Sequence, residues 1–121
     1  MNHFSIMRMP MMHACDGTML REVFHPRHTG VELPYSVAQA ELAPGDASLP
    51  HALAASDEVY FFLAGRGIAH VDDEQVAVHK GDIVHVPPGA RQWLENVGDE
   101  RLIFFCMVSP PWRAEDEVTC E

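Results

Sequence analysis

Apolar and polar residues alternate along most of this chain in short runs that end at turn residues. The clearest run covers residues 35–42, where every second residue is small or apolar: Ser36, Ala38, Ala40 and Leu42. A period of two residues predicts a β-strand, and we expect this set to face the core. Because two of its inward residues are alanines, the predicted strand leaves room for a cavity beside it.

Further short runs that end at turn residues predict strands at 18–24, 49–53, 58–63, 68–71, 75–79, 83–86, 91–95 and 102–108. Pro87 and Pro88 separate two of these runs, because proline cannot donate a hydrogen bond within a sheet. Many short strands with almost no helix are typical of an antiparallel, all-β barrel or sandwich. We expect an N-terminal arm at residues 1–15 and one domain at residues 16–121 that ends in a short tail.

The charge of the chain limits its partners. Among 121 residues, 18 are acidic and 8 are lysine or arginine, so the net charge is −10 with neutral histidines. Such a chain repels phosphate backbones and anionic lipids, and we expect neither a nucleic-acid nor a membrane partner. No apolar run approaches the length that spans a bilayer, and the first residues do not resemble a secretory signal.

The cysteines Cys15, Cys106 and Cys120 are odd in number and show no pairing pattern. This usage favours reduced thiols over a disulfide framework. We therefore expect a cytoplasmic protein.

The two ends of the chain have distinct compositions. The N-terminal arm is rich in methionine, and His3 and His13 could bind copper with it; alternatively, the arm packs on its own barrel or on a partner subunit, which is the more ordinary role of methionine. Near the other end, Trp112 is interpreted as an anchor over the barrel. The neighbouring acidic cluster is interpreted as solvated charge: Glu115, Asp116 and Glu117.

Two segments bracketed by glycine carry the candidate chemistry. In the first segment, single residues recur at spacings of five, one, four and six intervening residues: Gly45, His51, Leu53, Glu58 and Gly65. In the second, the intervening spacings are five, one, two and three: Gly81, Pro87, Gly89, Gln92 and Asn96. Because side chains alternate along a strand, His51 and Leu53 point to the same face, and Glu58 on the next strand can meet them.

The spacing of both segments resembles the two sequence motifs of the cupin superfamily. The resemblance covers about residues 18–117 and implies an antiparallel jelly-roll β-barrel in which the motif residues converge at one interior point. The family pattern has a histidine where this chain has Leu53, and another where it has Gln92. Similarity to a subgroup of small cupins with such replacements extends to Ser56, Glu58, Val59, Tyr60, residues 87–93 and residues 111–113.

The resemblance implies a metal site formed by His51, Glu58 and Gln92. An imidazole, a carboxylate and an amide oxygen could hold a divalent first-row transition metal (Fe, Mn, Ni, Cu or Zn) and leave positions open for substrate. His70 or His85 could supply a fourth metal ligand. Alternatively, both face outward as ordinary polar residues. His51, Glu58 and Gln92 could instead form a polar cluster whose members hydrogen-bond to one another without a metal.

Other residues are expected around the same point. The predicted catalytic residues are Glu58 and Tyr60. Glu58, or alternatively His51, would act as a base, and Tyr60 would act as a proton donor or alternatively pack as an aromatic wall. Arg91 is a candidate for holding a substrate carboxylate. The residues expected to line the pocket, each with an alternative role in the core or on the surface, are Leu53, Phe62, His85, Arg91, Phe104 and Cys106.

Three functions remain open at this point. The first is a metal-dependent cupin enzyme acting on a small polar metabolite, with the metal as Lewis acid and an isomerase, lyase or dioxygenase reaction. The second is a non-catalytic cupin that binds a small molecule. The third is a structural partner of another enzyme, whose cavity would be filled by Leu53 and Phe104. The resemblance also implies a homodimer, because small cupins commonly dimerise by exchanging N-terminal strands.

Overall fold

A computed structural model describes residues 1–119; the predicted free thiol of Cys120 lies outside this range. The strands are β1 (Met12–His13), β2 (Met19–Phe24), β3 (Ser36–Leu42), β4 (His51–Leu53), β5 (Asp57–Ala64), β6 (Arg66–Val71), β7 (Glu74–His79), β8 (Ile83–Val86), β9 (Gln92–Asn96), β10 (Leu102–Ser109) and β11 (Glu117–Thr119). Within the described residues, helix is confined to a single turn, α1 (Pro26–Thr29), and to 3₁₀ turns at Ile6–Arg8 and Ala114–Asp116. None of these helices is long or apolar enough to cross a bilayer.

The strands form two antiparallel sheets that face each other. One sheet has the order β1-β2-β3-β10-β5-β8, and the other has the order β11-β4-β9-β6-β7. In the first sheet, β10 lies between β3 and β5 and pairs with both along nearly its whole length. The prediction of an all-β, antiparallel jelly-roll barrel with almost no helix is confirmed.

The inward faces of β3, β5 and β10 form the core. On β10, every second residue is buried, from Leu102 to Val108, because successive side chains of a strand point to opposite faces. The rings of Tyr60, Phe62 and Phe104 pack with centroid separations of 5.6 to 6.1 Å, a spacing typical of favourable aromatic pairs. This cluster supports one end of the barrel, and the smaller residues of β3 lie beyond it.

The turn between β5 and β6 explains one motif glycine. Gly65 has a φ of +85°, and a Cβ atom there would lie 2.5 Å from the carbonyl oxygen of Arg101. Only glycine avoids both the strained backbone and the steric overlap. The glycine at the end of the first motif therefore allows β5 and β6 to pass closely by the loop before β10.

Both ends of the described chain return to the barrel. Met12 and His13 in β1 pair with Leu20 and Met19 in β2, and Thr119 in β11 pairs with His51 in β4. The sequence pattern predicted neither β1 nor β11, because each is too short to show alternation.

The acidic cluster of the C-terminal segment is only partly solvated, which corrects the sequence interpretation. Asp116 is buried, and its Oδ1 accepts a hydrogen bond from the backbone N–H of Ala55 at 2.8 Å. Glu117 is half-buried, whereas Glu115 is exposed. A run of charges does not show which member a tertiary contact will enclose.

Candidate functional site

A cavity of about 470 Å³ lies between the two sheets. Ala38 and Ala40 of β3 form part of its wall, as their small size predicted. The residues from the predicted site that reach this wall are His51, Leu53, Glu58, Tyr60, Phe104 and Cys106. Because the cavity is open beside Leu53 and Phe104, the collapsed barrel required by a purely structural role is not observed.

Three residues that the sequence predicted to line the pocket do not reach it. Phe62 is fully enclosed deeper in the core. His85 points outward from β8, where its Nε2 lies 2.8 Å from Oδ1 of Asp57, because Val86 takes the inward position. Arg91 is exposed after the proline turn. The pocket predictions for Phe62, His85 and Arg91 are therefore wrong.

Neither candidate for a fourth metal ligand faces the cavity. His70 stacks on Trp93 with ring centroids 3.6 Å apart, and its Nε2 lies 2.6 Å from Oε2 of Glu95. This pair occupies the outer face of β6 and β9. His70, like His85, therefore has the ordinary outward role that was the alternative.

His51 is buried on β4 and presents one ring nitrogen to the site. Its Nδ1 lies 3.0 Å from the carbonyl oxygen of Leu49, so that nitrogen is the one that carries a proton and donates. Oδ2 of Asp16 lies 3.9 Å from the same Nδ1. The remaining nitrogen, Nε2, is consequently unprotonated in the neutral ring and available as an acceptor.

Glu58 is a buried carboxyl group on the cavity wall, only 6% exposed. Burial raises the pKa of Glu58 from 4.5 to about 7, because a charge is poorly solvated in the barrel interior. The positive form of His51 and the nearby Cys106 and Gln92 side chains oppose this rise, whereas Asp16 adds to it. Near neutral pH, Glu58 can therefore both accept and donate a proton.

Tyr60 and Gln92 are joined inside the barrel. The Tyr60 hydroxyl donates a hydrogen bond to Oε1 of Gln92, which is buried on β9 behind the cavity wall. Burial, and then the charge of Glu58, raise the pKa of Tyr60 well above its usual value, so the phenol keeps its proton. Nε2 of Gln92 is buried and makes no hydrogen bond of ordinary length.

The cysteines of the cavity stay protonated. Burial, followed by the charge of Glu58, raises the pKa of the Cys106 thiol well above its usual value. Burial and the neighbouring Glu117 raise the pKa of Cys15 to about 11. Because the thiolate is the reactive form, neither cysteine is poised as a nucleophile.

The donor atoms do not form a complete metal site in this arrangement. Within residues 1–119, no three His, Cys, Asp or Glu side chains lie together as a metal-binding group. Leu53 offers no ligand, and the Gln92 oxygen is engaged by Tyr60. His51 and Glu58 thus supply two donors, whereas catalytic metal sites typically have three protein ligands.

Several cavity residues were not predicted from the sequence. Asp16 reaches the wall from the loop between β1 and β2, and Glu117 reaches it from β11. Glu22, Arg27 and Trp112 also lie on the wall. Only Trp112 carried a signal, since it was interpreted as an anchor over the barrel. The others are acidic or basic residues in segments whose position depends on long-range pairing.

The backbone around Trp112 is fixed by two polar contacts. Its N–H donates to Oγ of Ser36 at 2.9 Å, and its carbonyl oxygen lies 2.7 Å from Nε2 of His25. His25 also caps α1, where its Nδ1 accepts from the N–H of Arg27. His25 is therefore a buried structural residue near the cavity mouth.

This arrangement of two facing antiparallel sheets around a polar interior site is that of a cupin. Residues 38–108 match the family model for the cupin domain, and the chain belongs to this family. An uncharacterized protein of Methanocaldococcus jannaschii is 37% identical over 102 residues, which cover 84% of this chain and 80% of that protein.

Two relatives with described functions match in part. Acireductone dioxygenase of Stutzerimonas stutzeri is 47% identical over 67 residues, which cover 50% of this chain and 37% of the enzyme. The oxalate-binding protein of Thermotoga maritima is 28% identical over 71 residues, which cover 59% of each protein. The chain thus matches less than two thirds of the length of either relative.

Solved structures support the fold. Streptomyces Pac13, described as a unique nucleoside dehydratase, has a TM-score of 0.81 at 16% identity, covering 100% of this chain and 92% of Pac13. Oxalate decarboxylase of Lactobacillus farciminis has a TM-score of 0.83 at 21% identity, covering 96% of this chain and 35% of the enzyme. At such identities the likeness concerns the fold and not the reaction.

Proposed function

We propose that this cupin is an enzyme that transfers a proton between Glu58 and a small metabolite bound in the barrel. The observation that carries the proposal is a buried carboxyl group on the wall of a cavity of about 470 Å³, beside His51 and Tyr60. A volume of this size is typical of small-molecule sites. The raised pKa of Glu58, about 7, suits a group that gains and loses a proton near neutral pH.

The neighbours of Glu58 have separate roles in this proposal. His51, with Nδ1 held by the Leu49 carbonyl, offers Nε2 as an acceptor for a substrate hydroxyl or for a second proton. Tyr60 keeps its proton and shares it with Gln92, so it acts as a fixed hydrogen-bonding partner rather than as a base. Proton transfer of this kind serves isomerisation and elimination, and relatives of both enzyme and binding type belong to the family.

The metal-dependent reaction predicted from the sequence remains a hypothesis with its own readout. A first-row metal held by His51 and Glu58 would need a third ligand, and Gln92 would have to release Tyr60 to provide one. Metal content measured by mass spectrometry on wild type and on Glu58→Gln tests this directly. Near one metal per chain in wild type, lost in the variant, would support the hypothesis.

A deuterium-exchange experiment tests the proposed proton transfer without knowledge of the substrate. Wild type is incubated in D₂O with a deproteinised metabolite extract, and mass spectrometry follows new products and deuterium incorporation. We expect a Glu58-dependent change in at least one metabolite, which Glu58→Gln abolishes. The matched control, Glu74→Gln, alters an exposed carboxyl group on β7 and should behave as wild type.

The outcomes separate the candidate functions. A metabolite that changes equally with wild type and Glu58→Gln would contradict the proposal. A metabolite that is retained by both proteins but never altered would favour the alternative of a non-catalytic binding cupin. Loss of the reaction after treatment with a chelator, with recovery on addition of a single metal, would establish metal dependence.

A further inference from the structure

The charged residues of the cavity wall are mostly acidic. Four carboxyl groups reach the wall: Asp16, Glu22, Glu58 and Glu117. Among residues 1–119, Arg27 is the one lysine or arginine that lines it. A cavity dominated by one sign of charge attracts ligands of the opposite sign and raises the cost of burying ligands of the same sign.

Arg27 is already neutralised by its neighbours. Its Nη2 lies 3.2 Å from Oε2 of Glu22, and its guanidinium group lies 5.5 Å from the centre of the Trp112 ring. The other oxygen of Glu22, Oε1, lies 2.6 Å from Nε2 of His28. The Arg27–Glu22 pair therefore offers no free positive charge to an acidic ligand.

The other three carboxyl groups have no such partner. Within the described residues, no lysine or arginine forms an ion pair with Asp16, Glu58 or Glu117. The one ion-pair contact of these three groups is with a histidine: Oδ2 of Asp16 lies 3.9 Å from Nδ1 of His51. Glu58 is more than nine-tenths buried and faces the cavity. The Glu58 carboxyl group is offset by the nearby Cys106 and Gln92 side chains. Asp16 and Glu117, which have no lysine or arginine partner, therefore leave negative charge on the wall that a cationic ligand can meet.

Apolar residues supply much of the remaining wall. They come from both sheets: Leu20, Val37, Leu53, Leu94, Phe104 and Val108. An occupant must therefore present an apolar surface as well as a positive group.

We propose that the cavity binds a small amine, with its cationic group held by Asp16 and Glu117 on the wall and its apolar body against Leu53 and Phe104. The proposal deepens the proposed function, on which it rests for taking this cavity as the ligand site. It assigns selectivity to Asp16 and Glu117, which lie outside the matched cupin domain of residues 38–108. It also predicts discrimination against carboxylic acids, because the described wall has no lysine or arginine other than Arg27, which is paired with Glu22.

Geometry and electrostatics agree on the location of the amine. Asp16 is held in place by the backbone N–H and hydroxyl of Thr18, which donate to its Oδ1 at 3.0 and 2.7 Å. Its second oxygen, Oδ2, lies 3.9 Å from Nδ1 of His51 on the cavity wall. Asp16 and Glu117 both raise the pKa of Cys15, so both carboxyl groups act on that one side chain.

Three probes of one size and different charge test the proposal: benzylamine, benzyl alcohol and benzoate. Binding to wild type is measured by calorimetry, and amide shifts in NMR spectra locate the site. We expect benzylamine to bind about tenfold more tightly than benzyl alcohol, the effect of about one partly screened charge pair, and benzoate to bind most weakly. Added salt should reduce the preference.

A charge-neutral double variant locates the source of selectivity. Asp16→Asn together with Glu117→Gln keeps side-chain shape and should bring benzylamine to within about twofold of benzyl alcohol. The control, Asp73→Asn together with Glu74→Gln, removes the same number of charges from an exposed turn and should keep the wild-type preference.

The proposal is overturned if wild type binds none of the probes, binds all three alike, or prefers benzoate. It is also overturned if the control pair loses the preference as fully as Asp16→Asn with Glu117→Gln does. These results are independent of the exchange experiment in D₂O. Amine selectivity without Glu58-dependent chemistry would refute the proposed enzyme and leave the amine site standing, and the reverse pattern would refute the amine site alone.

Discussion

At the scale of single residues, Glu58 couples the chemistry of the cavity to the stability of the fold. Its pKa is about 7 in the folded chain but 4.5 when unperturbed, so the folded state holds the proton over a wider pH range. This contribution to stability is present below about pH 4.5 and is lost as pH rises to about 7, at a cost of about 3 kcal/mol. Glu58→Gln should remove that loss and unfold at higher urea concentrations than wild type above pH 7.

The control for Glu58→Gln is the same substitution at a carboxyl group that is not buried. Glu74→Gln, on the exposed surface of β7, should keep the wild-type dependence of unfolding free energy on pH. Urea titrations of the three proteins from about pH 4 to about pH 8 provide the measurement. If Glu58→Gln and wild type lose stability in parallel across this range, Glu58 does not have the raised pKa on which the proposed proton transfer relies.

At the scale of elements, the hairpins explain why particular turns require glycine. Gly65→Ala would place a methyl group 2.5 Å from the Arg101 carbonyl oxygen in addition to straining a backbone with φ of +85°. Gly81→Ala would meet only the backbone strain, since nothing lies within 4 Å of its Cβ position. We expect Gly81→Ala to cost about 1 kcal/mol and Gly65→Ala about 1–3 kcal/mol more, measured by urea unfolding.

The two substitutions are matched in residue type and in the sign of φ. Equal losses of stability would show that the loop before β10 moves aside without cost. A larger loss at Gly65 would show that the close approach of β5, β6 and this loop is rigid. Glycine is then required at these two motif positions for different reasons. At Gly81 the reason is the backbone conformation alone, and at Gly65 it is the backbone conformation together with close packing.

At the scale of the whole molecule, the two ends of the described chain complete the cavity that the barrel leaves open. Met12, His13 and Asp16 line it from the N-terminal side, and Phe4 packs on Phe24 with ring centroids 5.9 Å apart. Deletion of residues 1–13 should leave the barrel folded, because β2 to β10 form the core. It should weaken benzylamine binding at least fivefold, roughly 1 kcal/mol, by opening one wall to water.

Two further observations make the truncation decisive. Deletion of residues 1–3, which are exposed, should leave both binding and stability unchanged.

Sedimentation of the same proteins tests the predicted homodimer, which stays a prediction, as does the cytoplasmic location. A dimer that persists after deletion of residues 1–13 would contradict strand exchange through the arm, and unaltered benzylamine binding would contradict the role of the arm in the cavity.

Sequence alone determined the architecture and the centre of the site. Alternation identified the inward face of β3, because one face of an antiparallel strand must be apolar when the other meets solvent. The resemblance to the cupin motifs predicted that His51 and Glu58 meet in the barrel, and the parity of β5 placed Tyr60 on the same face as Glu58. Local signals of this kind are sufficient where a residue's face and its turn are both encoded nearby.

Only the tertiary structure decided how deeply each side chain is buried, which side chains it contacts and which charged residues line the cavity. Parity does not separate Phe62, deep in the core, from Tyr60 on the cavity wall. In β8 the apolar Ile83 shares the face of His85, so the pattern did not reveal that this face points outward. The bond between Tyr60 and Gln92 joins strands of different sheets. The approach of Asp16 and Glu117 depends on how the terminal segments pair with β2 and β4. Such contacts join residues far apart in sequence, and no local pattern encodes them.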